Sequence, residues 1–211
     1  MFALPARGPR GCDLLVVACL LAALAITGCK VEARDETKAG GLPSFKVKLP
    51  RGWNEPSKAE AQLGETIARL RIQGQEGAKP DFFTYELLGF HKAGGVPEAA
   101  SVDTLVQPLR NDPSLPEFAR VIQGSLRENG EVVEEFTRLE RTVVAGEPAV
   151  YYDYIEDDAD RRIGHRVIQT IHGKAGLTLN LSSPADQLDR FSRDLEKMTE
   201  SWKWKDPPRE D

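Results

Sequence analysis

Past position 29 this 211-residue chain has no cysteine: Cys12, Cys19 and Cys29 are its only three. Residues 30–211 therefore have no internal disulfide available and must be held by a hydrophobic core. Histidine is nearly as scarce, with His91, His165 and His172 alone. No H-E-x-x-H, no G-x-S-x-G and no Gly-rich phosphate loop occurs, so the readable signatures of zinc, serine-nucleophile and nucleotide chemistry are missing. No apolar run reaches the roughly 20 residues that a spanning helix needs. A basic excess is also lacking: 28 Lys and Arg against 33 Asp and Glu give a net charge of −5. Nothing in that balance attracts a nucleic acid.

What is present begins with thirteen apolar residues, Leu14 to Ile26, preceded by Arg7 and Arg10 and followed by the small Thr27 and Gly28. This is the layout of a secretory signal, removed from the mature protein. Ile26-Thr27-Gly28-Cys29 resembles the lipobox of bacterial lipoproteins. The resemblance implies cleavage between Gly28 and Cys29, and a diacylglycerol plus usually a third chain on Cys29. One acyl chain binds a membrane only marginally, at about 0.8 kcal/mol per buried CH₂, whereas two or more anchor durably. Lys30 in place of aspartate points to the outer membrane, facing the periplasm. An ordinary secretory signal cut elsewhere is the alternative.

Without Arg7, Arg10 and Asp13 the chain keeps 26 basic and 32 acidic residues, a net charge of −6. Its organisation reads as a signal peptide over 1–28, a lipidated Cys29 and linker over 29–43, a globular domain over 44–205 and a tail over 206–211. Residues 30–42, KVEARDETKAGGL, are charged and end in glycines. As a coil they hold the domain on the order of 20 Å from the membrane, and about 45 Å at full stretch.

Within the domain, Phe45, Val47 and Leu49 alternate with lysines as a strand that ends at Pro50 and Gly52. Further strands are expected over Ile67 to Gln73 and Phe82 to Phe90, with a turn over Gly74 to Pro80. Two helices follow: one capped by Ser101 and carrying Val102, Leu105 and Leu109, the other opened by the capping-box pair Ser114 and Glu117 and ending near Asn129-Gly130. Four strands, Val132 to Val144, Ala149 to Ile155, Ile163 to His172 and Leu177 to Leu181, are joined by short turns and predict an antiparallel meander. Ser183-Pro184, with Asp186 completing a cap, opens a last helix whose Leu188, Phe191, Leu195, Met198 and Trp202 share one face.

Three local patterns resemble the PsbP-like domains, named for a subunit of the photosynthetic oxygen-evolving apparatus. They are Phe45 to Trp53 (FKVKLPRGW), Gly146-Glu147-Pro148-Ala149, and Ser201-Trp202-Lys203-Trp204. The resemblance spans Ser44 to Lys205. It implies an α+β fold: an α-β-α sandwich around a mostly antiparallel sheet of about six or seven strands, with the C-terminal helix on one face. Relatives in that family bind protein partners, so it implies a binder and not an enzyme.

The chemistry-bearing residues read mostly as structure. His165 and His172 are an odd number apart and face opposite ways on a strand, so they cannot share a metal. Asp157-Asp158-Ala159-Asp160 has alternate carboxylates but lacks the glycine and distal glutamate of a calcium loop, and Arg161-Arg162 compete for it. Gly124-Ser125, Gly173-Lys174-Ala175 and Glu134-Glu135 each lack the neighbours that catalysis or phosphate binding requires. Trp53, Trp202 and Trp204 are expected to close the core rather than to form a binding surface. No cofactor and no catalytic residue is expected. The reading is a lipid-anchored envelope module that binds a protein partner. The alternatives are a structural or small-ligand domain, or a cell-wall hydrolase without a readable motif.

Overall fold

Alternation builds the centre of the molecule. In β8 (Ala175–Pro184), Leu177, Leu179 and Leu181 are buried while Thr178, Asn180 and Ser182 remain half-buried. The same step of two runs from Ala100 to Gln107 in β4 (Val96–Pro108), whereas β7 (Arg161–His172) is buried on both faces from Val167 to Thr170. This computed structural model describes residues 42–73, 83–93, 96–109, 112–128, 136–158 and 161–205. The expected signal, Cys29, most of the linker, the 206–211 tail, the 74–80 turn and Glu134-Glu135 lie outside them.

The other elements are β1 (Phe45–Lys46), β2 (Trp53–Asn54), α1 (Lys58–Gln73), β3 (Thr84–Ala93), α2 (Leu115–Glu128), β5 (Glu140–Val144), β6 (Glu147–Asp158), α3 (Leu188–Ser201) and β9 (Lys203–Trp204). Seven strands form one antiparallel sheet in the order β2-β3-β4-β8-β7-β6-β5, and β1 pairs with β9 apart from it. The expected meander is β5 to β8. Its first turn puts Ala145 and Gly146 at positive φ, and its last puts Gly173 there, as tight hairpins require.

Two expected elements are corrected. Residues 67–73 belong to α1, because Ser57 and Glu60 form a capping box: the Ser57 N–H donates to Glu60 Oε2 at 2.7 Å and the Glu60 N–H to Ser57 Oγ at 3.3 Å. From that cap a run of Ala, Glu, Gln and Leu carries the helix through sixteen residues. Residues 101–108 belong to β4, where Ala100, Val102, Thr104 and Val106 are all buried on one face. Smaller differences lie at element ends. β5 starts at Glu140, and β8 runs on through Pro184. A 3₁₀ turn, Ala185–Gln187, then precedes α3 without a side-chain cap, so Asp186 does not serve as one.

Helices cover both faces. Leu188, Phe191, Leu195, Met198 and Trp202 are buried with Leu177, Leu179, Leu181 and Ile168 in the larger core, beneath α3. Across the sheet, α2 buries Phe118 and Ala119, the latter against Val150, Tyr152, Tyr154 and Val167. Gly176 makes room for that contact: a Cβ there would lie 2.6 Å from Phe118 Cζ. Gly64 likewise brings α1 against Tyr85 and Leu87 of β3. The result is an α-β-α sandwich. No helix among the described residues is long and apolar enough to cross a membrane.

Candidate functional site

The two faces of the sheet differ in chemistry. Under α3 the central strands present leucine, valine and isoleucine. On the opposite face β4 presents Ser101, Asp103, Leu105 and Gln107, and β8 presents Thr178, Asn180 and Ser182, all seven half-buried. α1 packs on β3, and α2 packs on β6 and β7. Between these strands β4 and β8 form a polar floor.

A chain of polar side chains crosses this floor. Asn180 Nδ2 donates to Asp103 Oδ2 at 3.2 Å and to Ser182 Oγ at 3.1 Å. Ser182 Oγ lies 3.0 Å from His165 Nδ1, and His165 Nε2 lies 3.0 Å from Glu156 Oε2. The His165 ring is buried and stacks on Tyr154, centroids 4.4 Å apart and nearly parallel. Register enforces the gathering: Asp103 pairs with Asn180, and His165 pairs with both Tyr154 and Ser182. With its proton on Nε2, His165 donates to Glu156 and accepts the Ser182 hydroxyl, and its 3.4 Å approach to Asn180 Oδ1 is then a contact between two acceptors rather than a hydrogen bond.

Deeper under α2, the Tyr152 hydroxyl and Gln169 Oε1 are buried without a hydrogen-bond partner. Burial alone drives the Tyr152 hydroxyl well above its ordinary pKa of 10, so it stays protonated.

Ser182, His165 and Glu156 reproduce the connectivity of a serine-nucleophile triad. The rest of that machinery does not follow. Ser182 sits in a central strand paired on both sides, so the surrounding backbone N–H groups are spent on the ladder and none is left to hold an oxyanion. Nor do Asp103 and Glu156 form a glycosidase pair. They lie three strand spacings apart across the sheet, about 14 Å, and four residues apart along it, Asp103 level with Asn180 and Glu156 with Ile163 and Pro184, well beyond the roughly 5 to 9.5 Å such chemistry uses. The floor carries no lysine or arginine, and Arg166, in a two-pronged pair with Asp153 at 2.8 and 2.7 Å, lies on the α3 face.

The residues singled out in the sequence fall as follows. His165 and His172 point to opposite faces; His172 accompanies His91 on the α3 side. His91 packs against Trp53 and Phe191, and His172 stacks on Trp204. Among the described residues no three His, Cys, Asp or Glu side chains are grouped as a cation site. Asp157 pairs with Arg162 at 3.7 Å across its hairpin. Trp53 and Trp202 are buried and Trp204 half-buried. Missed were Asp103, Tyr154, Glu156, Asn180 and Ser182. Their signal was the polar alternate positions of β8, legible as a site only when β8 is known to be central.

No protein-family model and no curated protein matches this chain. Among solved structures it is similar to LpqN of Mycobacterium tuberculosis, involved in cell envelope biogenesis, at 13% identity over 78% of this chain and 85% of that one, with a TM-score of 0.43. It is similar to cyanobacterial PsbP of Synechocystis sp. PCC 6803 at 13% identity over 78% and 95%, TM-score 0.42. It is also similar to the Ran-binding protein Mog1p of Saccharomyces cerevisiae at 11% identity over 75% and 89%, TM-score 0.46. Likenesses this distant carry no argument about what the chain binds.

Proposed function

We propose that this chain is a cell-envelope protein anchored by lipid on Cys29, facing the periplasm from the outer membrane, and that its domain is a non-catalytic binding or assembly module for another envelope protein. The observation that carries the binding reading is the half-buried polar row on the two central strands of an otherwise helix-covered sheet. A sheet centre is ordinarily the most apolar place in a sandwich, and polar groups left there half-covered are disposed to meet a partner. The lipobox-like Ile26 to Cys29 supports the anchor, and the sequence resemblance to PsbP-like domains supports a protein partner.

The anchor is tested by acyl labelling of the full chain in its own envelope. Wild type takes up labelled acyl groups and partitions into detergent, whereas Cys29→Ala does neither. Absence of label on wild type removes the anchor. Incubating the purified domain with peptidoglycan, ester and glycoside substrates tests the non-catalytic reading, which turnover abolished by Ser182→Ala or Glu156→Gln would overturn.

A further inference from the structure

We infer that the outer edge of β5 is where this chain takes its protein partner, by pairing with one extended segment of that partner that sets an acidic side chain opposite Arg141. The inference rests on the binding-module reading and specifies the mode of contact.

The edge follows from the hairpin. β5 ends the sheet on one side, and its residues pair with β6 from Glu140–Tyr151 to Val144–Glu147 without a bulge. Ala145 and Gly146, both at positive φ, form the two-residue turn between the strands, so Val144 and Glu147 exchange hydrogen bonds. Bonded and unbonded pairs alternate from there. Thr142 and Glu140 therefore bond inward to β6, whereas Arg141 and Val143 aim their N–H and C=O groups away from it. Pro148, which has no N–H to give, stands opposite Val143, where none is needed. Among the described residues no hydrogen bond from outside the sheet reaches Arg141 or Val143.

This edge is open. Glu140, Arg141 and Val143 are exposed, Val143 at 58%. The segment entering β5 runs on along β6 instead of folding over the edge: the Thr137 N–H donates to the Asp153 carbonyl at 3.0 Å, and Thr137 Oγ1 accepts the Asp153 N–H at 2.8 Å. The opposite edge is built otherwise. There β2 has only two residues between Pro50 and Pro56, and α1 packs on β3 beside it. Very short strands, prolines and bulges keep an edge from pairing, and β5 has none of them.

Charge selects the occupant. Arg141 projects on the same face as Val143, and neither it nor the exposed Arg138 has a carboxylate partner among the described residues. Glu140 is engaged by the Tyr151 hydroxyl at 2.5 Å. In a chain of net charge −5 this edge is thus cationic, so a basic segment is repelled and an acidic one attracted. Antiparallel addition makes new main-chain hydrogen bonds at Arg141 and Val143 and puts directly opposite side chains on one face. The added strand then shows an apolar residue to Val143 and, two positions later, Asp or Glu to Arg141.

The test places a photocrosslinking amino acid at position 143 of the full chain, expressed in its own envelope, with position 121 on α2 as the comparison. The expected result is a crosslink from 143 to another envelope protein, mapped by peptide mass spectrometry to a segment with Asp or Glu two positions after the joined residue. Its yield should fall about tenfold in Arg141→Glu and persist in Arg141→Lys, with both variants keeping the wild-type urea midpoint. A yield indifferent to Arg141→Glu, or a joined segment without that acidic residue, overturns the proposed strand. Crosslinks from 143 to the same chain or to a second copy overturn the occupant. Silence at 143 with a partner crosslinked from 121 overturns the edge and leaves a binding module. Silence at both positions overturns both readings.

Discussion

At the scale of single residues, Tyr152 is the most revealing. Its ring is fully buried against Phe136, yet its hydroxyl has no partner. An unpaired buried hydroxyl costs about 1 to 3 kcal/mol relative to leaving it in water. Tyr152→Phe is therefore expected to leave stability at pH 7 unchanged or raise it by up to about 1 kcal/mol, read from urea midpoints. A loss beyond that would show that the hydroxyl is satisfied in solution; Gln169 Oε1 is an unpartnered acceptor on the same face among the described residues. The pH dependence has a definite sign. Burial lifts the folded-state pKa above 10, so in alkali the unfolded chain gives up this proton first. The contribution is complete below pH 10 and is lost as pH rises through 10 and beyond. Wild type should therefore lose more stability than Tyr152→Phe between pH 9 and 11.

At the scale of elements, the buried face of α3 was legible, though not its start, because its apolar residues fit one period only. Steps of three and four from Leu188 to Trp202 have no strand interpretation, and all five side chains are buried. Phe191, 1% exposed and edge-on to Trp53 at 6.1 Å, is the centre of that face. Phe191→Ala should cost about 3 to 5 kcal/mol, whereas Lys197→Glu on the solvent side, losing only an exposed pair with Asp194, should cost under about 1 kcal/mol. Comparable denaturation midpoints for Phe191→Ala and wild type would contradict the packing. α1 and β4 were misread because their apolar residues fit both periods. Ala68, Leu70 and Ile72 step by two inside a helix, and Val102, Leu105 and Leu109 step by three and four across a strand and its end. What decides α1 is the cap at Ser57, ten residues before the stretch read as a strand. In β4 the buried Thr104 supplies the alternate core position, and threonine does not announce itself as core. The candidate site shared this fate. With β4 read as a helix, Asp103 had no route to Asn180, 77 positions later, and the polar side of β8 looked like a solvent face.

At the scale of the whole molecule, three sequence patterns, Phe45 to Trp53, Gly146 to Ala149 and Ser201 to Trp204, converge. Phe45 stacks on Trp202 with centroids 4.1 Å apart, and the Lys205 N–H donates to the Ser44 carbonyl at 2.9 Å. Glu147 holds this small β1–β9 pair to the main sheet: its Oε1 lies 2.5 Å from His172 Nδ1, its Oε2 accepts from Trp204 Nε1 at 3.1 Å, and the His172 and Trp204 rings stack at 4.2 Å. Both ends of the domain are thus fastened at one place, immediately after the linker that would lead to Cys29. Any pull from a membrane anchor reaches the core through Phe45 and Lys46. Only two residue pairs link β1 to β9, and Phe45 is the one buried side chain of β1, so opening that pair should cost far less than global unfolding. Removing the Trp204 indole deletes the stack, the bond to Glu147 and the edge contact with Phe45 together. Trp204→Ala should therefore speed amide hydrogen exchange at Phe45, Lys46 and Lys205 by about tenfold or more, since each 1.4 kcal/mol of lost local stability is a factor of ten in the open population. Amides in β6, β7 and β8 should keep wild-type protection, because their ladder and the α3 core do not run through Trp204. Uniform loss of protection across the sheet would mean that the end pair is integral to the core, and that tension on the linker would be borne by the whole domain rather than by a separable clasp.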